Sequence, residues 1–272
     1  MTKPSKPAVL SIRNARLADV NASSALVAKV YKDMPAYTPG MLRGQIAAFP
    51  DGQFVVEYAD EIVGYAAGFR IDEKTAMAPH TWTQITGGGY AARHDPVGDW
   101  FYGMEVCVDP DRRRLRIGQR LYDARRDLCE AENLRGIVFG GRMPGLARRK
   151  AAYPDAREYL DAVTARKLND PVIGFHMRSG FEPIGVLENY LSSDAASMGH
   201  AAHMVWRNPY APEADSPHHP AQVQKEAVRI ANQSRYGLNG AIMTAGAMTP
   251  TGRALDVALQ GDALLTVQAA DG

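Results

Sequence analysis

The sequence is poor in cysteine: Cys107 and Cys129 are the only two in 272 residues, so neither a disulfide framework nor a cysteine zinc site is indicated. It lacks an uninterrupted apolar run of the roughly 18 residues that a membrane-spanning helix needs. Its N-terminal stretch MTKPSKPAVLSIRNA has no apolar signal core, so a cytoplasmic protein without a membrane partner is expected. Charge of one sign is also missing, with 31 basic residues against 30 acidic ones and a net charge of +1. A balanced field of that kind suits neither nucleic acid nor an anionic lipid surface. Histidine is sparse, and the adjacent His218 and His219 have no metal-ligand spacing, so no metal is expected. No Walker-type lysine follows a phosphate-loop glycine, which disfavours a nucleotide-phosphate site of that class.

What the chain does have is a composition that is 46% hydrophobic and 22% charged, ordinary for a globular protein with one sizeable core. Strands are expected over Ala8 to Asn14, Gln53 to Tyr58, Ile62 to Ile71, Trp100 to Val108, Ile137 to Gly140, Phe181 to Leu187 and Ala201 to Arg207. Helices are expected over Leu17 to Tyr31, Met41 to Ala48, from about Arg113 to Glu132, from Ala156 to Lys167 and through DPVIGFHMRSG, which Ser179-Gly180 closes. Residues 72–97, with Gly87, Gly88 and Gly89 in succession, read as a flexible loop able to lie over a site. Past Pro209 the composition turns to a proline-rich linker, 210–222, before a small segment, 223–272.

One stretch carries chemistry. VDPDRRRLRIGQRLY, from Val108 to Tyr122, passes from an apolar strand through a proline turn into a helix whose first turn is cationic. Arginine is misplaced at a helix N-terminus, where the partial positive charge favours anions. Something anionic should compensate, and free N–H groups beside guanidinium forks make a phosphate site. The bland alternative is a solvated charge run.

This order of elements, and that turn in particular, resembles the GNAT superfamily of acyl-CoA N-acyltransferases. The family's pyrophosphate turn has the pattern Arg/Gln-x-x-Gly-x-Gly/Ala after a V-x-P-D strand end. Arg113, Arg116 and Gly118 occupy its fixed positions, with Arg116 where the first glycine would stand. The stretch DPDRRRLRIGQRLYDARRDLCEAENLRGIVFGGRMPG is closer still to GNAT modules fused to carbon-nitrogen hydrolases, and the likeness spans roughly residues 9–209. Hydrolase activity is not expected, because the residues past 209 hold no cysteine. In the tail, EAVRIANQSRYGLNGAIMT from Glu226 to Thr244 is similar to a segment of aldehyde dehydrogenase. That enzyme's nucleophilic cysteine has no counterpart there, so an appendage without chemistry is expected, one that packs on the core, helps form a homodimer or is poorly ordered.

The resemblance implies an α+β (α/β) fold: a mixed, mostly antiparallel central sheet flanked by helices, over residues 1–209. It implies acetyl-CoA as cosubstrate and a primary amine, on a small molecule or a protein, as acceptor. The diphosphate would be held by the backbone and side chains of Arg113, Arg114, Leu115, Arg116, Ile117, Gly118, Gln119 and Arg120. The pantetheine arm would lie beside Glu105, Val106, Cys107 and Val108. Glu105 matches the family's strand-borne base, and in an apolar strand its pKa should rise toward working pH; an outward-facing carboxylate is the competing reading. His176 stands where the family carries a tyrosine that protonates the leaving thiolate, and histidine titrates near neutrality. A structural histidine, with Tyr153, Tyr159 or Tyr190 serving instead, stays open. So does a second function, an acyl-CoA-binding or regulatory module without turnover. Asp72, Glu73, Asp95 and Asp99 are candidates to receive a cationic amine.

Overall fold

A computed structural model describes residues 9–211, 257–260 and 264–267. The chain forms two compact units, Met1–Glu226 and Ala227–Gly272. Within the first, a seven-stranded sheet runs in the order β1-β2-β3-β4-β5-β7-β6. Its strands are β1 Leu10–Asn14, β2 Phe54–Tyr58, β3 Glu61–Ile71, β4 Trp100–Val108, β5 Gly136–Arg142, β6 Glu182–Leu187 and β7 Ala201–Arg207. Every neighbouring pair is antiparallel except β4 with β5. The sheet is therefore mixed and mostly antiparallel, the expected class. In the second unit, β8 Val257–Gln260 and β9 Leu264–Val267 pair antiparallel. Residues 212–222 of the 210–222 linker, the histidine pair and the aldehyde dehydrogenase-like stretch 226–244 lie outside the described residues.

Helices cover both faces. The long α5, Ile117–Ala131, presents Ile117, Leu121, Tyr122, Arg125 and Cys129 inward. That spacing of three and four residues is the amphipathic stripe expected of a helix laid on a sheet. Ile117 and Leu121 pack with Phe54, Val56, Val63 and Ala66 on that face. The opposite face is covered by α1, Val20–Val30, and α2, Pro39–Ala48, which brings Tyr31, Tyr37 and Leu42 toward Tyr65 and Phe69. The remaining helices are α3 Glu73–Met77, α4 Trp82–Thr86, α6 Ala156–Thr164 and α7 Pro171–Arg178. Among the described residues no helix is long and apolar enough to cross a membrane.

Two expectations need correcting. Residues 72–97 are not a plain flexible loop: they contain α3 and α4, capped by Asp72 and by Thr81. Gly87, Gly88 and Gly89 all have positive φ, 62°, 71° and 92°, a conformation that residues with a Cβ rarely adopt. The glycines build a fixed turn, held where Gln45 Nε2 donates to Gly89 O at 2.7 Å while Tyr65 Oη donates to Gln45. The arginine run is not the first turn of α5 either. Pro110–Leu115 forms a 3-10 turn, and the α-helix begins only at Ile117.

Candidate acyl-transfer site

The site is built where two strands part. β4 and β5 pair only at Phe101 with Ile137 and Tyr102 with Val138. Beyond Tyr102, β4 stays on β3 while β5 stays on β7, so a wedge opens between them. Asp109 N–H donates to Val63 O at 2.9 Å. Because amides alternate sides along an antiparallel strand, Val106 and Val108 turn theirs away from β3, into the wedge that β5 has left.

The β3–β4 register explains how Glu105 reaches this place. Ala67 stands opposite Glu105, but Gly68 stands opposite Gly103, so Met104 is an extra residue, a β-bulge. The bulge shifts the pleat by one. Glu105 and Cys107 thereby share a face with Tyr102, Tyr65 and Phe69, the face under α1, while Phe101, Gly103, Val106 and Val108 face α5. Without it, the alternation of β4 would put Glu105 with Phe101 and Gly103.

A bulge leaves ladder carbonyls unpaired, and here a buried arginine takes them. Arg125, 1% exposed on α5, donates through Nη2 to Ala67 O at 2.6 Å and to Glu105 O. Its guanidinium carbon lies 5.5 Å from the Phe101 ring centroid and 5.9 Å from that of Tyr122. Gly103 makes the room, since a Cβ there would stand 3.1 Å from Arg125 Nη1.

Glu105 is partly buried, and Tyr31 Oη donates to its Oε1 at 2.6 Å. Desolvation raises its pKa to about 7, against the pull of the Tyr31 hydroxyl, Arg125, the Val106 amide and Arg142. This is the range expected of a base for an ammonium. Cys107, on the same face, is buried, and desolvation pushes its thiol well up, which leaves its side chain a packing role. Of the tyrosines considered for the acid, Tyr159 donates to Asp170 at 2.7 Å and Tyr153 packs against it. Tyr190 reaches the wedge: its hydroxyl lies 2.9 Å from that of Tyr102, which is 2.8 Å from His80 Nε2.

His176 lies on the α5 side, across the sheet from Glu105. Its ring is 9% exposed among Tyr122, Phe139, Phe175 and Phe181. Desolvation and the charge of Arg125 lower its pKa to about 3, so the group titrating near neutrality that the sequence suggests is instead a neutral imidazole. Its Nδ1 lies 2.7 Å from Tyr122 Oη. In the arrangement satisfying both, the hydroxyl donates and the ring hydrogen sits on Nε2, the edge lying against Gly141 of β5.

At the mouth of the wedge is the cationic turn. Lys29 Nζ pairs with Asp109 at 2.7 Å and Asp111 at 2.8 Å, so the acidic residues of the turn are already matched. Arg112 reaches Glu61 at 3.5 Å and lies over the Tyr58 ring. Arg116 and Arg120 are exposed and form no ion pair among the described residues. Arg113 and Arg114 place their backbone in the turn. Leu115 and Ile117 pack inward, Gly118 admits Phe175, whose ring would lie 3.0 Å from a Cβ, and Gln119 donates to Asp123 at 3.0 Å. The α5 N-terminus has no side-chain cap, so the amides of Ile117, Gly118 and Gln119 precede its first helical bond, Arg120 N–H to Arg116 O.

Arg116 caps α5 in the left-handed region, φ 53° and ψ 30°, which explains why glycine suits the position. Substituting Arg116 by glycine is expected to raise stability by about 1 kcal/mol in a thermal melt, from relief of that strain.

The acids suggested as amine receivers serve local structure. Asp72 accepts from Thr75 N, Asp95 from Val97 N, Asp99 from Glu73 N, and Glu73 pairs with Arg135. The sequence reading missed Arg125, Arg142 and Tyr31. Arg125 had a signal: it lies four residues from both Leu121 and Cys129, inside the apolar stripe of α5. Among the described residues no group of three or more His, Cys, Asp or Glu gathers as for a metal ion.

Comparison with known proteins bears on this geometry. Residues 30–153 match the family model described as "Acetyltransferase (GNAT) family". The chain is 31% identical over 172 residues to "Uncharacterized N-acetyltransferase YkwB" of Bacillus subtilis (strain 168), covering 63% of this chain and 75% of that one. It is 38% identical over 197 residues to "Probable hydrolase YhcX" of the same organism, covering 72% of this chain but only 38% of the relative. Among solved structures, "GphF GNAT-like decarboxylase in complex with isobutyryl-CoA" is similar at 25% identity and a TM-score of 0.64, over 73% of this chain and 99% of that one.

Proposed function

The chain belongs to the acetyltransferase (GNAT) family, and we propose that it transfers an acetyl group from acetyl-CoA to a primary amine. The observation that carries the proposal is the wedge between β4 and β5, with Glu105 turned to one side of it by the Met104 bulge and poised near pH 7. The residues fit the cosubstrate. An exposed cationic turn and an uncapped helix start suit a diphosphate, with Arg113, Arg114, Leu115, Arg116, Ile117, Gly118, Gln119 and Arg120 as its holders. The amides of Val106 and Val108, on the strand shared with Cys107, suit an extended arm lying as an added strand. When bound, acetyl-CoA supplies the activated acyl group.

Glu105, ionised above about pH 7, takes a proton from the acceptor ammonium and leaves the amine free to attack. The Val106 or Val108 N–H donates to the carbonyl oxygen as negative charge gathers there. As the C–N bond forms and the C–S bond breaks, the second proton shed by the nitrogen passes through water to the departing thiolate, to which neutral His176 offers its Nε2 hydrogen as a hydrogen bond, and Glu105 returns its own proton to solvent.

The test is free-thiol release from acetyl-CoA across a panel of amines, with folding checked by circular dichroism. Thiol release that depends on the amine supports the reading; its absence from a folded, CoA-binding protein overturns it. That second result would favour a module that binds acyl-CoA without turnover, a reading supported by the low pKa of His176.

The finer likeness, to modules fused to carbon-nitrogen hydrolases, is supported by the relative named a probable hydrolase, of which this chain matches 38%. We read residues 1–209 as the transferase domain, 210–222 as a linker and 223–272 as an appendage that takes no part in the chemistry.

A further inference from the structure

We infer that the acceptor is an amino acid, and that Arg142 receives its carboxylate while Glu105 faces its amine. This rests on the acetyl-transfer reading above. Arg142 ends β5 on the Glu105 side of the sheet, and Tyr31 bridges the two. The Tyr31 ring centroid lies 5.8 Å from the guanidinium carbon, and its hydroxyl is 2.6 Å from Glu105 Oε1.

The guanidinium is locked along one edge and open along the other. Nε and Nη2 donate to Asp194 Oδ2 and Oδ1 at 2.7 and 2.6 Å. Asp194, whose side chain is 2% exposed, also accepts from Ser197 Oγ at 2.6 Å, and Ser197 Oγ accepts from Met143 N at 2.9 Å. Nη1 has no hydrogen-bond partner among the described residues, and the Arg142 side chain keeps 33% of its surface exposed.

A buried ion pair adds little stability over apolar residues of the same volume. What this one supplies is aim: a planar fork held rigid, presenting its free edge beside the base. A guanidinium edge is the group best matched to a carboxylate. Charge points the same way. Arg125 and Arg142 act on Glu105 as two positive charges and Asp194 offsets one, so the field ranges from neutral to singly positive as Glu105 titrates. A bare alkylammonium finds no negative excess there. A zwitterion brings the carboxylate that Arg142 can match, and keeps its ammonium for Glu105.

The experiment measures kcat and KM by thiol release with the full chain, acetyl-CoA and matched acceptors: amino acids, their primary amides and the corresponding decarboxylated amines. The wild type should favour the acid over its amide by about tenfold to a hundredfold, mostly in KM. Arg142→Gln alone strands Asp194, so the double variant Arg142→Gln/Asp194→Asn is measured beside it. In both, the acid-to-amide ratio should fall to within about threefold of one. Equal turnover of acid and amide by the wild type would overturn this inference and leave amine acetylation standing. A preference that survives in the double variant would remove Arg142 from the role. Failure of every amine would overturn the acetyl-transfer reading itself, and this inference with it.

Discussion

Glu105→Gln is expected to lower kcat by about a hundredfold to ten-thousandfold while the protein becomes more stable at alkaline pH. Both effects come from one cause. In the wild type, desolvation lifts the Glu105 pKa from 4.5 to about 7, so the carboxylate gains a proton on folding across that interval. Its contribution to stability is fully present below about pH 4.5 and is lost as pH rises through about 7. At pH 8 the ionised side chain costs on the order of 3 kcal/mol, which glutamine, neutral throughout, avoids. Activity has the opposite sign, because only the ionised form accepts a proton: wild-type kcat/KM should climb with a limb near pH 7, and the variant should lose that limb. Thiol-release profiles and urea denaturation at pH 5 and 8 measure the two. A variant that is less active and no more stable at pH 8 would show that Glu105 is not the desolvated base.

The second large effect is expected at Arg125. Changing it to methionine leaves Ala67 O and Glu105 O without the donor that the bulge requires, and each unsatisfied buried carbonyl costs about 1 to 3 kcal/mol. Part is returned, since the guanidinium itself is buried with Nε unpartnered. A net loss of about 2 to 4 kcal/mol by urea denaturation is expected. The charge also pulls the Glu105 pKa down, so the alkaline limb should start above pH 7 in the variant. Arg125→Lys keeps the charge and loses the fork; its limb should stay near 7 while its stability falls. A purely structural Arg125 would leave the limb of both variants unmoved.

The sequence made the sheet, its flanking helices and the cationic turn legible, because strands rich in β-branched and aromatic residues and a helix with a three-four stripe are local patterns. The turn's detail was less so. The helix was expected to start among the arginines, but Pro110 holds the chain in a 3-10 turn up to Leu115, and only Arg116, by going left-handed, lets α5 begin. Glu105 could be chosen but not oriented, since an inserted residue in a strand leaves no composition signature. The environment of His176 was also out of reach: Phe139 comes from β5 and Phe181 from the residue just before β6, and only the fold gathers them around the ring. Arg142 depends on Asp194, 52 residues on, and no local pattern announces that partner.

The inserted Met104 makes β4 two half-strands with opposite phase. Deleting that one residue would fuse the halves into a single phase: Glu105 would follow Gly103 directly, still opposite Ala67 and on the side under α1, so the carboxylate would keep its place while the irregular carbonyls that Arg125 serves would be lost to it.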